Sequence, residues 1–495
     1  MQTSRGALRG ATIEGGIAAF LGIPYAAPPT GAGRFLPPRR LPAWEGVLDA
    51  TRHGPACTQV RDGVLHGSGV RRELGRLFAF PDRFPQSEDC LRLSIWTPSH
   101  DPQARLPVLV YVHGGGYITK FGSVTGCTLT DGDRLAARGA VVVTINHRLG
   151  VLGFLHLADV LGDAYASSGN AAIGDLAAAL EWIQEEIGSF GGDPGRLMLF
   201  GESGGAMKIC ALLAARAARE LCSGAMLQSG ALTDALTRDA AATFTREFLD
   251  RLGLRPREAP QLLSLPVERL LRAQASAMST TDVRIGLLSG LGPVVDGELL
   301  EAVPFSSREA QPPAEFPLVL GTTAEEMTLF ATASDLPTIP AEDVVRSTEE
   351  TFVRDAVALA QRRLAVGATA TYAYRFDWKT PAMGGRLGAT HTLDLPFVFD
   401  TTDRAPVTAQ PGAADLAATM SQASVSFAAS GRPGRVGLPA WPRYGPPRYE
   451  TLVFDQHNRL VDGQPADAPG TSGPRIDWLR RWAASRPPSP LTAGS

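Results

Sequence analysis

The sequence predicts an α/β fold, with a mostly parallel central sheet, helices on both faces and helical cap insertions. Three observations predict it. Pro107-Val-Leu-Val-Tyr-Val-His113, Ala140-Val-Val-Val-Thr-Ile-Asn146 and the run from Arg196 to Phe200 are short apolar stretches of the kind that strands buried on both faces show. Between them, Ile173 to Ile187 repeats its apolar residues at helical spacing and stops at Gly188. Glycine-rich motifs follow two of the strands, at the carboxyl ends where open α/β sheets bind ligands.

Taken in order, Glu14 to Gln59 contributes two short apolar strand candidates and a lead-in punctuated by Pro and Gly, including Phe20-Leu-Gly-Ile-Pro-Tyr-Ala. The segment between Cys57 and Cys90 carries five arginines with Phe78, Phe80 and Phe84, and it reads as a long surface loop. Leu91-Arg-Leu-Ser-Ile-Trp alternates as a strand does. Beyond Gln228-Ser229-Gly230 the composition turns to Ala, Leu, Arg and Glu at helical spacing, which is read as cap material over about 232–290, with a second insertion over about 330–370. Strands resume at Pro317 to Gly321, Tyr372 to Trp378 and Thr451 to Phe454. The expected organisation is an N-terminal lead over 1–9, a single domain over 10–480 and a loose tail over 481–495.

Composition narrows the function. The 495 residues carry 47 basic and 50 acidic side chains and a net charge of −3, so no basic excess exists to neutralise a phosphate backbone. Nucleic acid is not an expected partner. The apolar stretch Ile17 to Ala27 is too short to span a membrane and contains Pro24, and the N-terminus has no continuous apolar signal region. A soluble, cytoplasmic protein is expected. The five cysteines include no Cys-x-x-Cys pair, so neither a disulfide scaffold nor a metal site is expected.

The chemistry centres on Leu199-Phe200-Gly201-Glu202-Ser203-Gly204-Gly205, which reads as a strand-turn-helix nucleophile elbow. A serine hydroxyl is a weak nucleophile at neutral pH, so it requires a base, an orienting acid and an oxyanion hole. His113-Gly114-Gly115-Gly116 follows a buried strand and matches an oxyanion-hole motif. Of eight histidines, His391 lies late in the chain in a loop that runs into an apolar element, where the Ser-acid-His order places the base. His113 and His147 adjoin strand ends; His53, His66, His100, His156 and His457 read as surface or loop residues. Glu325 and Glu326 both follow the strand at Leu318 to Leu320, and the residues alone do not choose between them.

With these pieces assembled, the chain resembles the type B carboxylesterases, the cholinesterase and bacterial para-nitrobenzyl esterase relatives of the α/β-hydrolase fold. The resemblance runs from about residue 10 to 480. Besides the Ser203 elbow and the His113 motif it is carried by Phe20-Leu-Gly-Ile-Pro-Tyr-Ala, Ser87-Glu-Asp-Cys-Leu-Arg-Leu-Ser, Asn146-His-Arg-Leu-Gly, Phe190-Gly-Gly-Asp-Pro and Pro293-Val-Val-Asp-Gly. It implies a cofactor-independent, metal-free hydrolase of small carboxylic esters that uses water as second substrate. It implies Ser203 as nucleophile, His391 as base and Glu326, not Glu325, as acid. Gly115, Gly116 and Gly204 match the oxyanion donors, and Glu202 and Ser229 match positions that tune the triad. Arg34 with Glu88 and Arg148 with Asp175 resemble buried ion pairs, and Cys57 with Cys90 matches a disulfide position. Amide or carbamate hydrolysis on the same triad, or a noncatalytic binding role for the same fold, are the alternatives.

Three departures from the family pattern carry expectations. Gly204 stands where alanine is usual, which is expected to loosen the elbow. Ser424 stands where the late helix usually has a Trp. The 65 positions from Glu326 to His391 are fewer than usual, which implies a trimmed cap and a more open acyl or alcohol pocket.

Overall fold

A computed structural model of the chain describes residues 1–60, 69–81, 84–119, 127–279, 290–334 and 340–463. The expected tail over 481–495 lies outside the described residues, as do His66 and part of the proposed cap at 280–289 and 335–339.

The central sheet has eleven strands: β1 (Ala11–Thr12), β2 (Ala18–Pro24), β3 (Arg92–Thr97), β4 (Leu106–Val112), β5 (Val141–Ile145), β6 (Gly192–Glu202), β7 (Gly224–Gln228), β8 (Leu318–Thr323), β9 (Thr371–Phe376), β10 (Thr451–Phe454) and β11 (Arg459–Val461). Their spatial order is β11-β10-β9-β8-β7-β6-β4-β5-β3-β2-β1. Every pairing from β5 through β4, β6, β7, β8 and β9 to β10 is parallel, and the edges are antiparallel. The register aligns Val110 with Val143 on one side and Leu199 on the other. The three central apolar runs are buried along both faces, the condition that made them apolar throughout.

Helices cover the sheet. Among them are α1 (Val70–Leu77), α2 (Ala171–Glu186), α3 (Gly204–Ala214), α4 (Arg238–Leu252), α5 (Val267–Ser279), α6 (Met327–Ala333), α7 (Ala341–Thr348), α8 (Arg354–Ala365) and α9 (Ala413–Ser430). α4 begins on Thr237, whose side chain accepts the Ala240 N–H, and stops at Gly253 in the left-handed region, so both ends carry ordinary caps. Between α7 and α8 one turn, Glu349–Val353, is a π-helix. No helix among the described residues is long and apolar enough to cross a membrane.

The structure corrects two expectations and sharpens a third. The arginine-rich stretch after Cys57 is not simply a surface loop: it contains α1, and Phe78 at its end is fully buried because it packs into the apolar cluster behind the sheet. His156, read as a surface or loop residue, lies in a loop and is buried there, with Thr245 donating to its carbonyl at 2.6 Å. Residues 1–9 are folded into the domain. Gln2–Thr3 and Gly6–Arg9 form a three-stranded sheet with Val47–Asp49, and Ser4 bonds to the buried Glu186 through both N–H and Oγ.

The two ion pairs form as the resemblance implied. Arg34 meets Glu88 through two bonds of 2.7 and 2.6 Å. Arg148 meets Asp175 through bonds of 2.8 and 2.6 Å, and its remaining donors reach the Leu36 and Ala171 carbonyls. With that satisfaction the desolvated guanidinium is held in place, and its pKa is raised although burial alone would lower it.

Candidate active site

β6 ends at Glu202 and α3 starts at Gly204, so Ser203 alone makes the turn. Its φ of 56° and ψ of −126° lie where residues with a Cβ rarely sit. The turn is held by the Ser203 N–H donating to Gln228 O at 2.7 Å and by the Met207 N–H donating to Ser203 O at 3.1 Å. A Cβ on Gly205 would stand 2.0 Å from Val112 O, so only glycine lets α3 leave the sheet this close to β4.

The glycine motif begins just beyond β4. Gly115 and Gly116 have φ of 95° and 63°. This loop lies against the start of α3 so closely that a Cβ on Gly204 would fall 2.2 Å from Gly116 O and 2.5 Å from Gly116 N. The glycine at 204 permits a backbone approach that the Cβ of alanine would obstruct.

Geometry also separates the two glutamates. Glu326 is fully buried; its Oε2 is 2.6 Å from His391 Nδ1, and its Oε1 accepts the Thr323 N–H at 2.7 Å. Glu325 turns away, accepting the Ala389 N–H at 2.7 Å and pairing with Lys379 at 3.0 Å. It ties down the loop that carries His391. On the other side of the imidazole, Nε2 lies 3.2 Å from Glu202 Oε1, which also accepts the Thr392 hydroxyl at 2.8 Å. Burial pulls the His391 pKa down, but Glu202 and Glu326 outweigh it and raise it to about 9. Burial raises Glu202 to about 7 against the pull of His391.

Ser229 is buried just after β7, its N–H donating to Gly321 O at 2.8 Å and its hydroxyl without a partner among the described residues. Cys57 and Cys90 are both buried and unbonded, and the Cys90 thiol, hydrogen-bonded to Cys57, is raised well above its ordinary value. Ser424 bonds to Met420 O at 2.9 Å and lines a small apolar cavity that Trp441, from later in the chain, also lines.

Several residues at this site escape sequence reasoning. Phe330 and Phe352 pack against His391 with ring centroids 5.1 and 4.9 Å away. Phe330 lies four residues after Glu326, one helical turn on, and that spacing was a usable signal. Phe352 comes from the π-helical turn, and nothing local in the sequence marks it. Asp394 is buried and accepts from the Tyr374 hydroxyl at 2.6 Å and Gln228 at 3.0 Å. Lys208, also buried, donates to Gly116 O at 3.2 Å. Its signal was a single charge in an otherwise apolar helix.

A sheet of this strand order, carrying a serine turn and a buried imidazole–carboxylate pair at its carboxyl edge, is the architecture of the α/β-hydrolase enzymes. A sequence model described as the carboxylesterase family matches residues 1–364, and the chain belongs to that family. It is a carboxylic ester hydrolase. The chain is 36% identical over 485 residues to a para-nitrobenzyl esterase of Bacillus subtilis, covering 92% of this chain and 94% of that one. It is 31% identical over 482 residues to a fumonisin B1 esterase of Sphingopyxis macrogoltabida, covering 89% and 84%. The solved structure of the Geobacillus stearothermophilus carboxylesterase EST55 superposes with a TM-score of 0.78 at 34% identity, covering 98% and 99%.

Proposed function

We propose that the chain hydrolyses small carboxylic esters through an acyl-enzyme on Ser203, with a Ser203-His391-Glu326 triad. The observation that supports this reading is the fully buried 2.6 Å contact of Glu326 with His391 Nδ1, with the ring's Nε2 3.2 Å from Glu202, the residue before a serine held in a strained turn. In the neutral ring, Glu326 at Nδ1 would fix the tautomer whose lone pair is on Nε2, the nitrogen that lies 3.2 Å from Glu202 Oε1. Ser203 Oγ attacks the ester carbonyl as Nε2 takes its proton. The carbonyl oxygen, now negative, is received by the N–H groups of Gly115, Gly116 and Gly204 at the start of α3, where the helix dipole favours an anion. His391 then protonates the departing alcohol, and water repeats the sequence on the acyl-enzyme.

The test is hydrolysis of para-nitrophenyl esters from acetate to decanoate by wild type and Ser203→Ala, with an organophosphate adduct mapped by mass spectrometry. Turnover that vanishes in the variant and an adduct on Ser203 are expected. Turnover by Ser203→Ala equal to wild type would overturn the reading. Across the series, comparable rates for small and bulky acyl groups are expected from the short span between Glu326 and His391, and strict short-chain selectivity would overturn that expectation. No cofactor or metal enters any step.

A further inference from the structure

Lys208 is the one charged side chain in α3, and it is wholly buried beneath the glycine loop. Among the described residues its Nζ makes one hydrogen bond, to Gly116 O, and no ion pair. An ammonium group taken out of water without an adjacent carboxylate is costly to the fold, whereas an apolar side chain of the same length would fit a helix this apolar. Its surroundings are equally unusual. His147 and His113 stack beside it with centroids 4.4 Å apart, and the His147 pKa is lowered first by burial and then by the Lys208 charge. Glu202, the residue before Ser203, is the carboxylate whose field supports the lysine charge against burial, which brings its pKa down to about 7.

The Gly116 carbonyl is thus held from one side by Nζ, and from another it occupies the space that a Cβ on residue 204 would fill, 2.2 Å away. Both contacts act on the same peptide unit, next to the N–H that the triad reading assigns to the oxyanion. We propose that Lys208 is a positioning residue for acyl transfer: it grips the Gly116 carbonyl from beneath and seats the glycine loop against the bare Cα of Gly204, in the setting that receives the oxyanion. This inference rests on the reading of Ser203 as nucleophile. It makes Lys208 and Gly204 a coupled pair, because any side chain at 204 would push the carbonyl off the lysine.

The experiment compares wild type, Lys208→Met, Lys208→Gln, Gly204→Ala and the double variant Gly204→Ala/Lys208→Met. For each, kcat and KM on para-nitrophenyl acetate, the inhibition constant of a trifluoromethyl ketone that forms a tetrahedral adduct, and the melting temperature are measured. For Lys208→Met, kcat is expected to fall about tenfold to a hundredfold, short of the loss of an oxyanion donor itself. KM is expected to stay constant, the ketone to weaken by the same factor as kcat, and the melting temperature to hold or rise as a buried charge is removed. Lys208→Gln, which keeps a donor, recovers part of kcat and gives the same reading if the Met variant does not fold. Gly204→Ala is expected to lower kcat in wild type and to cost little more in Lys208→Met. A folded Lys208 variant with unchanged kcat, a loss confined to KM or melting temperature, or strictly additive effects of the two substitutions would overturn the inference. If wild type carries no organophosphate on Ser203, the nucleophile reading fails and this inference fails with it; labelling with an unchanged kcat in the lysine variants overturns this inference alone.

Discussion

Replacing Glu202 by Gln keeps the shape of the side chain and removes one of the two carboxylates that flank His391. In the structure Nε2 lies 3.2 Å from Glu202 Oε1, while Nδ1 remains 2.6 Å from Glu326. At an effective dielectric constant of about 20, unit charges at that separation interact by about 5 kcal/mol, equivalent to nearly 4 pH units. That is a ceiling, because Glu202 is itself only partly ionised near its pKa of about 7 and shares its charge with Thr392. A neighbouring opposite charge ordinarily moves a pKa by about 1 to 3 units. The sign is fixed: removing an anion destabilises the imidazolium, so His391 releases its proton at lower pH than its present value of about 9. If His391 is the base, the rising limb of kcat/KM moves to lower pH by about 1 to 3 units in Glu202→Gln. Rates on para-nitrophenyl acetate from about pH 5 to about pH 10, corrected for buffer hydrolysis, read this directly. A limb that stays in place or moves to higher pH would refute the assignment. Stability changes in a matching way. The raised His391 pKa contributes stability that is complete below about 6.5 and lost as pH rises through about 9, and the raised Glu202 pKa lowers stability further between about 4.5 and about 7. Denaturant melts of the wild type therefore weaken from mildly acidic to alkaline pH, and those of Glu202→Gln weaken less.

Two further predictions concern the frame around the site. Asp175→Ala leaves the Arg148 guanidinium buried without its carboxylate, and denaturant melts are expected to show a loss of about 3 to 5 kcal/mol; a loss under about 1 kcal/mol would contradict the pairing as described. Cys57 and Cys90 are in contact as free thiols, so a reduced sample should titrate all five cysteines, and mild oxidation should remove two and stabilise the fold by about 3 to 4 kcal/mol. Peptide mapping that finds any other pair oxidised would overturn that expectation.

What the sequence revealed and what it withheld divide along a physical line. Strands β4, β5 and β6 were legible because a strand buried on both faces must be apolar at every position, and the elbow was legible because a sharp strand-to-helix crossing leaves no room for a Cβ at Gly201, Gly204 and Gly205 around the serine. These are local constraints, written in consecutive residues. The helix inside the Cys57 to Cys90 segment was not legible, since five arginines mask an amphipathic stretch whose value lies in the contacts of Leu74 and Phe78 with a distant cluster. The choice between Glu325 and Glu326 depended on resemblance for the same reason. Adjacent residues on a turn point in different directions, and only the position of His391, 65 residues later, says which one reaches it.

Gly204 and Lys208 show the limit most sharply. Read singly, a glycine in an elbow suggests a looser turn and a lysine in a helix suggests a solvated face. Together, around one carbonyl, they have the opposite meaning: the glycine removes the atom that would block the Gly116 loop, and the lysine gives up its hydration to hold that loop in the space so made. Burying a lysine with no ion-pair partner among the described residues, where desolvation pulls its pKa down to about 7, lowers stability, so its presence in the helix that follows Ser203 is read as stability exchanged for a fixed backbone. The same logic applies to His391, set between two carboxylates that a freely folding core would avoid. Around Ser203, His391 and Lys208, at the carboxyl edge of the sheet, the described residues gather desolvated charge that the triad reading would use to meet the oxyanion.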